Sequence, residues 1–122
     1  MTGQDGSTFR WISSPREIIR LRRTGTLRRG KLLSVWIAPG TDAEGNVPAA
    51  CVVAGRGFNK AVKRNKAKRR TIGALMDSRG LLEHGRRYLI ECRPGAEEED
   101  YQKLVIELRW AISREQGSGV EQ

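Results

Sequence analysis

The chain predicts an α+β sandwich, and three observations carry that prediction. Residues 31–38, KLLSVWIA, alternate Leu33, Val35 and Ile37 against Leu32, Ser34 and Trp36, which is the period of a strand. Residues 49–55, AACVVAG, form a near-continuous apolar run of the kind that fills a central strand. Helical periodicity with helical end signals lies on either side of these strands, so the strands come as a run with helices packed on one side of a small sheet.

Taken in order, residues 1–8 are polar and Gly-rich and read as disordered. A first helix starts from Ser13 and Ser14: serine caps, Pro15 suits the first turn, and Glu17 is favourable near the positive end of the helix dipole. Ile18 and Leu21, with Ile19 beside them, give a short apolar stripe, and Gly25 is the stop. Arg16, Arg20, Arg22 and Arg23 fill the rest, either as a solvated face or as a cationic wall. Residues 25–30 share a first hairpin with the 31–38 strand, and the segment APGTDAEGNVP is a polar turn. Gly55 and Gly57 loosen the chain before a basic helix from about 60 to 76. MDSRGLLEHGRR carries loop signals, YLIEC from Tyr88 is another strand, and Pro94 and Gly95 close it. After Glu97, Glu98, Glu99 and Asp100, Leu104, Leu108 and Ala111 recur with Val105 and Ile112 beside them. That is an amphipathic helix with acids in its first turn. The expected order is helix, three strands, helix, strand, helix, in one domain over residues 9–114 with a disordered tail at 115–122.

At 122 residues the chain holds one modest core. A net charge of +9 and a pI near 10.4 imply a positive field that favours polyanions and weakens with salt. No stretch approaches the roughly 20 apolar residues that span a bilayer, and MTGQDGSTFRW lacks the apolar core of a secretory signal. Cys51 and Cys92 each sit in an apolar strand, without CxxC or Cys/His clustering, and read as buried free thiols of a cytoplasmic protein. His84 falls in a loop without a nucleophile motif and reads as a surface residue.

Charge is concentrated in the middle of the chain. Seven of the eleven residues from Lys60 to Arg70 are cationic: Lys60, Lys63, Arg64, Lys66, Lys68, Arg69 and Arg70. At 100° per residue, Ala61, Val62, Ile72, Leu75 and Met76 fall on one side, while Lys63, Lys66, Ala67 and Arg70 fall opposite. Asn65, Lys68 and Arg69 project toward the apolar side, so the N-terminal half of this helix leaves the core and presents cations over a wide arc. Nucleic acid is the first candidate partner; a solvated face, a membrane surface and an acidic protein are the rivals.

The segment GRGFNKAVKRNKAKRR closely resembles the signature of the bacterial ribonuclease P protein subunit, a KAVxRNRxKRR run directly after a strand. A second match is ECRPGAEEEDYQKLVIELRWAI, residues 91–112, which resembles the family's strand-end RPG, acidic turn, tyrosine and final helix. From Arg10 through SSPREIIRLRRTGTLRRG to LLSVWIAPG the likeness is looser. The resemblance implies an α-β-β-β-α-β-α fold with a left-handed βαβ crossover, of the kind found in the second domain of a small-subunit ribosomal protein. It also implies a cytoplasmic ribonucleoprotein that removes the 5′ leader from precursor tRNA. There the RNA subunit performs the hydrolysis with magnesium held mainly by RNA and substrate. The protein supplies no catalytic side chain and no metal site, and its partners are the catalytic RNA and precursor tRNA, with no membrane and no obligatory protein partner.

Carried over by position, Arg64, Asn65, Lys68 and Arg69 match the motif that contacts the catalytic RNA, within a stretch that also holds Lys60, Lys63, Lys66 and Arg70. Lys66 stands where arginine is usual and lacks its bidentate fork. Asn65 has a rival reading, as a group that bonds nearby backbone to fix the helix start. A leader cleft between the first helix and the sheet would use Arg16, Arg20 and Arg56 for charge and Trp36 as a platform, unless Trp36 is core. Ile18 and Arg22 occupy positions that are often aromatic in the family, Gly55, Arg56 and Gly57 replace a serine and two lysines, and Ile72 and Gly73 replace an arginine-glutamate pair. The runner-up reading is a ribosome-associated or general nucleic-acid-binding protein.

Overall fold

The structure, a computed structural model, describes residues 9–40 and 47–113. The disorder expected at residues 1–8 and 115–122, and most of the polar turn before Val47, lie outside the described residues. The elements are β1 (Arg10–Trp11), α1 (Pro15–Thr24), β2 (Thr26–Arg29), β3 (Leu33–Pro39), β4 (Ala49–Ala54), α2 (Ala61–Asp77), β5 (Arg86–Cys92) and α3 (Tyr101–Ile112), with a 3-10 turn at Arg79–Leu81. They form one mixed sheet in the order β1-β4-β5-β3-β2. β3 pairs antiparallel with β2 and β5, while β4 pairs parallel with β1 and β5. α2 connects the parallel neighbours β4 and β5. The expected order of elements holds, with β1 added in front. Two residues have no period to read; pairing alone makes this strand, as the N–H groups of Arg10 and Ile12 donate to Pro48 and Ala50 at 2.9 Å.

Helices cover both faces of the sheet, not one. Leu33, Val35, Ile37, Ala50, Val52, Tyr88, Ile90 and Cys92 face α2 and α3. Ala38, Ala49, Cys51 and Leu89 face the other way and pack with Ile12 and Leu21, beside Trp36 and Val53. Coverage on both faces explains why β3 and β4 are apolar almost throughout. α1 lies alone on this second face. Ser14 caps it through the Glu17 N–H, Pro15 opens it, and the Gly25 N–H closes it on the Leu21 carbonyl at 2.8 Å. Cys51 and Cys92 are buried free thiols on opposite faces. Burial pushes the Cys51 thiol up to about 11 and raises Cys92 as well.

α2 is rotated from the orientation expected of it. Its buried side chains are Ala67, Thr71, Ala74 and Leu75, whereas Val62 and Met76 are exposed. Small residues let the helix approach the sheet and α3 closely; of the expected apolar stripe, Leu75 and Ile72 do pack against the core, while Val62 and Met76 do not. α3 buries Leu104, Val105, Leu108, Ala111 and Ile112 as expected, but its acids sit one turn early: Asp100 is the cap, accepting the Gln102 N–H, and Glu97–Glu99 precede the helix.

Glu107 of α3 ties the β2–β3 hairpin down. Its Oε2 accepts the N–H groups of Leu32 and Leu33 at 2.7 and 2.9 Å. A β-carbon on Gly30 would meet this carboxylate, so a side chain there would displace Glu107 from its two donors. Glu107→Ala leaves two backbone donors without their acceptor and is expected to cost about 2 kcal/mol. Urea unfolding measures it; a change below about 0.5 kcal/mol would mean that water replaces the carboxylate.

Candidate nucleic-acid interface

The register builds the site. On the face that carries α1, one row across the sheet reads Cys51, Leu89, Trp36 and Leu27, and the next reads Val53, Glu91, Ser34 and Arg29. α1 packs over the first row through Leu21 and ends there, leaving the second as the floor of a groove. The walls are Arg22 from α1, Arg56, Gly57 and Phe58 from the link after β4, and Arg64 from α2, around a space of about 660 Å³. A second hollow of about 440 Å³ shares Gly55, Arg56 and Glu91 and adds Arg29, Ser34 and Arg93, so the two join into one channel. Gly57 holds a φ of +100° at its edge, which L side chains rarely adopt.

Five arginines line this channel against one acid, Glu91. Arg22 donates to Glu91 Oε2 at 3.0 Å and lays its guanidinium over the Trp36 ring at 4.9 Å. Arg29, Arg56, Arg64 and Arg93 pair with no acid among the described residues. The channel is therefore a focused positive field with two aromatic rings beside it, Phe58 and the covered Trp36. Such a surface suits a single-stranded polyanion.

The predicted residues divide. Lys60, Arg64, Asn65, Lys66, Lys68 and Arg69 are all exposed on the first turns of α2 or at its cap. No acid offsets them in the first turn, and their charge opposes the helix dipole, so they favour an external anion over the isolated fold. The Asn65 side chain makes no hydrogen bond among the described residues, and Lys60, not Asn65, occupies the helix cap. The reading of Asn65 as a backbone fastener therefore falls. Lys63 is half-buried. Arg70 is on the packed side: it donates to the carbonyls of Ala96 and Glu99 at 2.9 and 2.6 Å and lies beside the Tyr101 ring, fastening the β5–α3 link to α2. Tyr101 in turn donates to Asp77 at 2.7 Å; burial and this carboxylate raise its pKa.

Of the predicted leader residues only Arg56 lines the channel; Trp36 lies one row back beneath Arg22, and Arg16 and Arg20 are elsewhere. They lie with Ile19, Arg23 and Thr24 on the far side of α1. Leu21 and Ile18 face the sheet, and 100° per residue carries Arg16 and Arg20 to the opposite side. Trp36 is half-buried against the α1-side core with Arg22 as its cover, the packing side of the two readings the sequence left open. Sequence reasoning missed Arg22, Arg29, Phe58, Glu91 and Arg93. No local signal brings Arg22 to Glu91, 69 positions on; only strand register does.

Among the described residues, no three His, Cys, Asp or Glu side chains gather as metal ligands. Of the carboxylates near the channel and α2, Glu91 accepts from Arg22, Glu97 from the Gly95 N–H and Asp100 from the Gln102 N–H. No helix of the described residues is long and apolar enough to cross a membrane.

The family model for ribonuclease P matches residues 9–116. The chain belongs to the ribonuclease P family. Among solved structures, the ribonuclease P protein of Thermotoga maritima is 20% identical, with a TM-score of 0.71 over 88% of this chain and 97% of that one. The ribonuclease P protein of Staphylococcus aureus is 15% identical, with a TM-score of 0.67 over 83% and 90%. These likenesses establish the fold. No curated protein sequence matches the chain. Membership of the ribonuclease P family places the chain in a tRNA-processing ribonuclease and implies an RNA partner there.

Proposed function

We propose that this chain is the non-catalytic protein subunit of ribonuclease P, binding the catalytic RNA through the exposed cations of α2 and the 5′ leader of precursor tRNA in the channel. The observation that carries this reading is the channel itself, with four arginines that pair with no acid among the described residues on the open end of the sheet beside the basic turn of α2. Arg64 belongs to both surfaces, so leader and RNA subunit meet at one helix. Leader phosphates pair with Arg29, Arg56 and Arg93, and bases stack on Phe58 or on the Arg22 guanidinium, whose plane sits where the family often has an aromatic ring. Magnesium stays with the RNA, which performs the hydrolysis in the cytoplasm. The protein's cations screen the phosphates and lower the magnesium the reaction needs.

The test is cleavage of a precursor tRNA by a bacterial ribonuclease P RNA at low magnesium, with and without the full chain. Expected is cleavage only with both. Failure to rescue cleavage despite tight RNA binding would replace this reading with a general nucleic-acid-binding role. Cleavage by the protein without RNA would overturn the non-catalytic assignment.

A further inference from the structure

The outward side of α1 carries charge that the channel does not use. Arg16, Arg20 and Arg23 project within about 60° of one another, roughly 100–160° round the helix from Leu21, given 100° per residue. With Ile19 and Thr24 they border a shallow hollow of about 370 Å³. None of the three guanidinium groups makes a hydrogen bond or ion pair among the described residues. The nearest acid, Glu17, is turned the other way, taken by Arg10 at 3.2 Å and Arg87 at 3.4 Å.

Local stability does not account for this arrangement. Arg23 is favourable in the last turn of the helix, but Arg16 stands in the first turn, where a cation opposes the dipole. Arg16 and Arg20, four residues apart, repel rather than attract. Helical rise spreads the three guanidinium bases over about 10 Å. The surface has no aromatic ring on which an unpaired base would stack: its one large apolar group is Ile19, 58% exposed.

We propose that the outer face of α1 is a second RNA-binding surface, one that grips the phosphate backbone of double-helical RNA through Arg16, Arg20 and Arg23. Guanidinium forks bind phosphate bidentately, and a convex row of them without platforms meets a duplex through its backbone rather than through its bases. α1 then stands between two nucleic-acid elements, a strand in the channel on its inner side and a duplex outside. The duplex surface does not depend on the subunit assignment.

The test uses the full chain, a blunt RNA hairpin without single-stranded ends, and a single-stranded RNA oligonucleotide, with affinities measured against salt. The triple variant Arg16→Gln, Arg20→Gln, Arg23→Gln should reduce the duplex salt slope by about 2–3, at roughly 0.9 per lost phosphate contact, and leave the single-strand slope as it was. An unchanged duplex slope overturns the proposal. An equal loss on both probes also overturns it, since that reflects the general field alone. An unaltered urea midpoint excludes misfolding; should the triple variant unfold, Arg16→Gln alone must lower the duplex slope by about 0.9 or the proposal falls. Cleavage by the wild type with the RNA subunit separates this result from the subunit reading, which fails only if that cleavage is absent.

Discussion

Leu21→Ala is expected to remove about 3–5 kcal/mol of stability, because the deletion empties the contact by which α1 rests on the sheet. Leu21 is the one side chain of α1 that is fully buried, and Ile18 is only half-buried beside it. The other ties are polar: Glu17 to Arg87 and Arg10, and Arg22 to Glu91. Arg87 is buried, so its pairing matters more than the exposed Arg22–Glu91 pair. Urea unfolding gives the stability change. If α1 detaches before the rest, its loss also shows as a lower slope in denaturant, because less surface remains to be exposed. A loss below about 1.5 kcal/mol would mean that the α1 contact closes around the smaller side chain. The channel has α1 as one wall, so the same variant should bind single-stranded RNA poorly even where the sheet stays folded.

Arg64→Ala combined with Lys68→Ala should weaken binding to a ribonuclease P RNA at low salt and flatten its salt dependence by about 1.4–1.8, the sum of two lost phosphate contacts. Both side chains are exposed on α2, so the fold should be unaffected. An unchanged slope would remove these residues from the interface. Arg70→Ala is the contrasting substitution. It releases the carbonyls of Ala96 and Glu99, and its main effect belongs to stability rather than to RNA affinity.

These outcomes also mark how far the sequence could be read. The caps of α1, the buried stripe of α3 and the strands were legible because each rests on neighbours in the chain. α2 was legible only at Leu75, since the rest of its buried side is Ala67, Thr71 and Ala74, chosen for closeness rather than hydrophobicity. The basic run named the α2 surface, yet two of its members, Lys63 and Arg70, turn inward to different degrees. The channel was half visible. Arg56 is there, but Arg29, Glu91 and Arg93 join it only through pairing across β2, β3 and β5, which composition does not encode. Arg16 and Arg20 were placed by charge alone, and the helix turned them away.

The two thiols, on opposite faces of the sheet, give the molecule a pair of internal clocks. Cys51 is sealed by α1 and Cys92 by α2 and α3. Neither reacts while covered, because burial keeps the thiolate scarce. Alkylation of Cys51 therefore counts the moments when α1 lifts, and alkylation of Cys92 counts the opening of the larger core. The ratio of the two rates reads, without any added probe, how independently the wall of the channel breathes from the body that carries it.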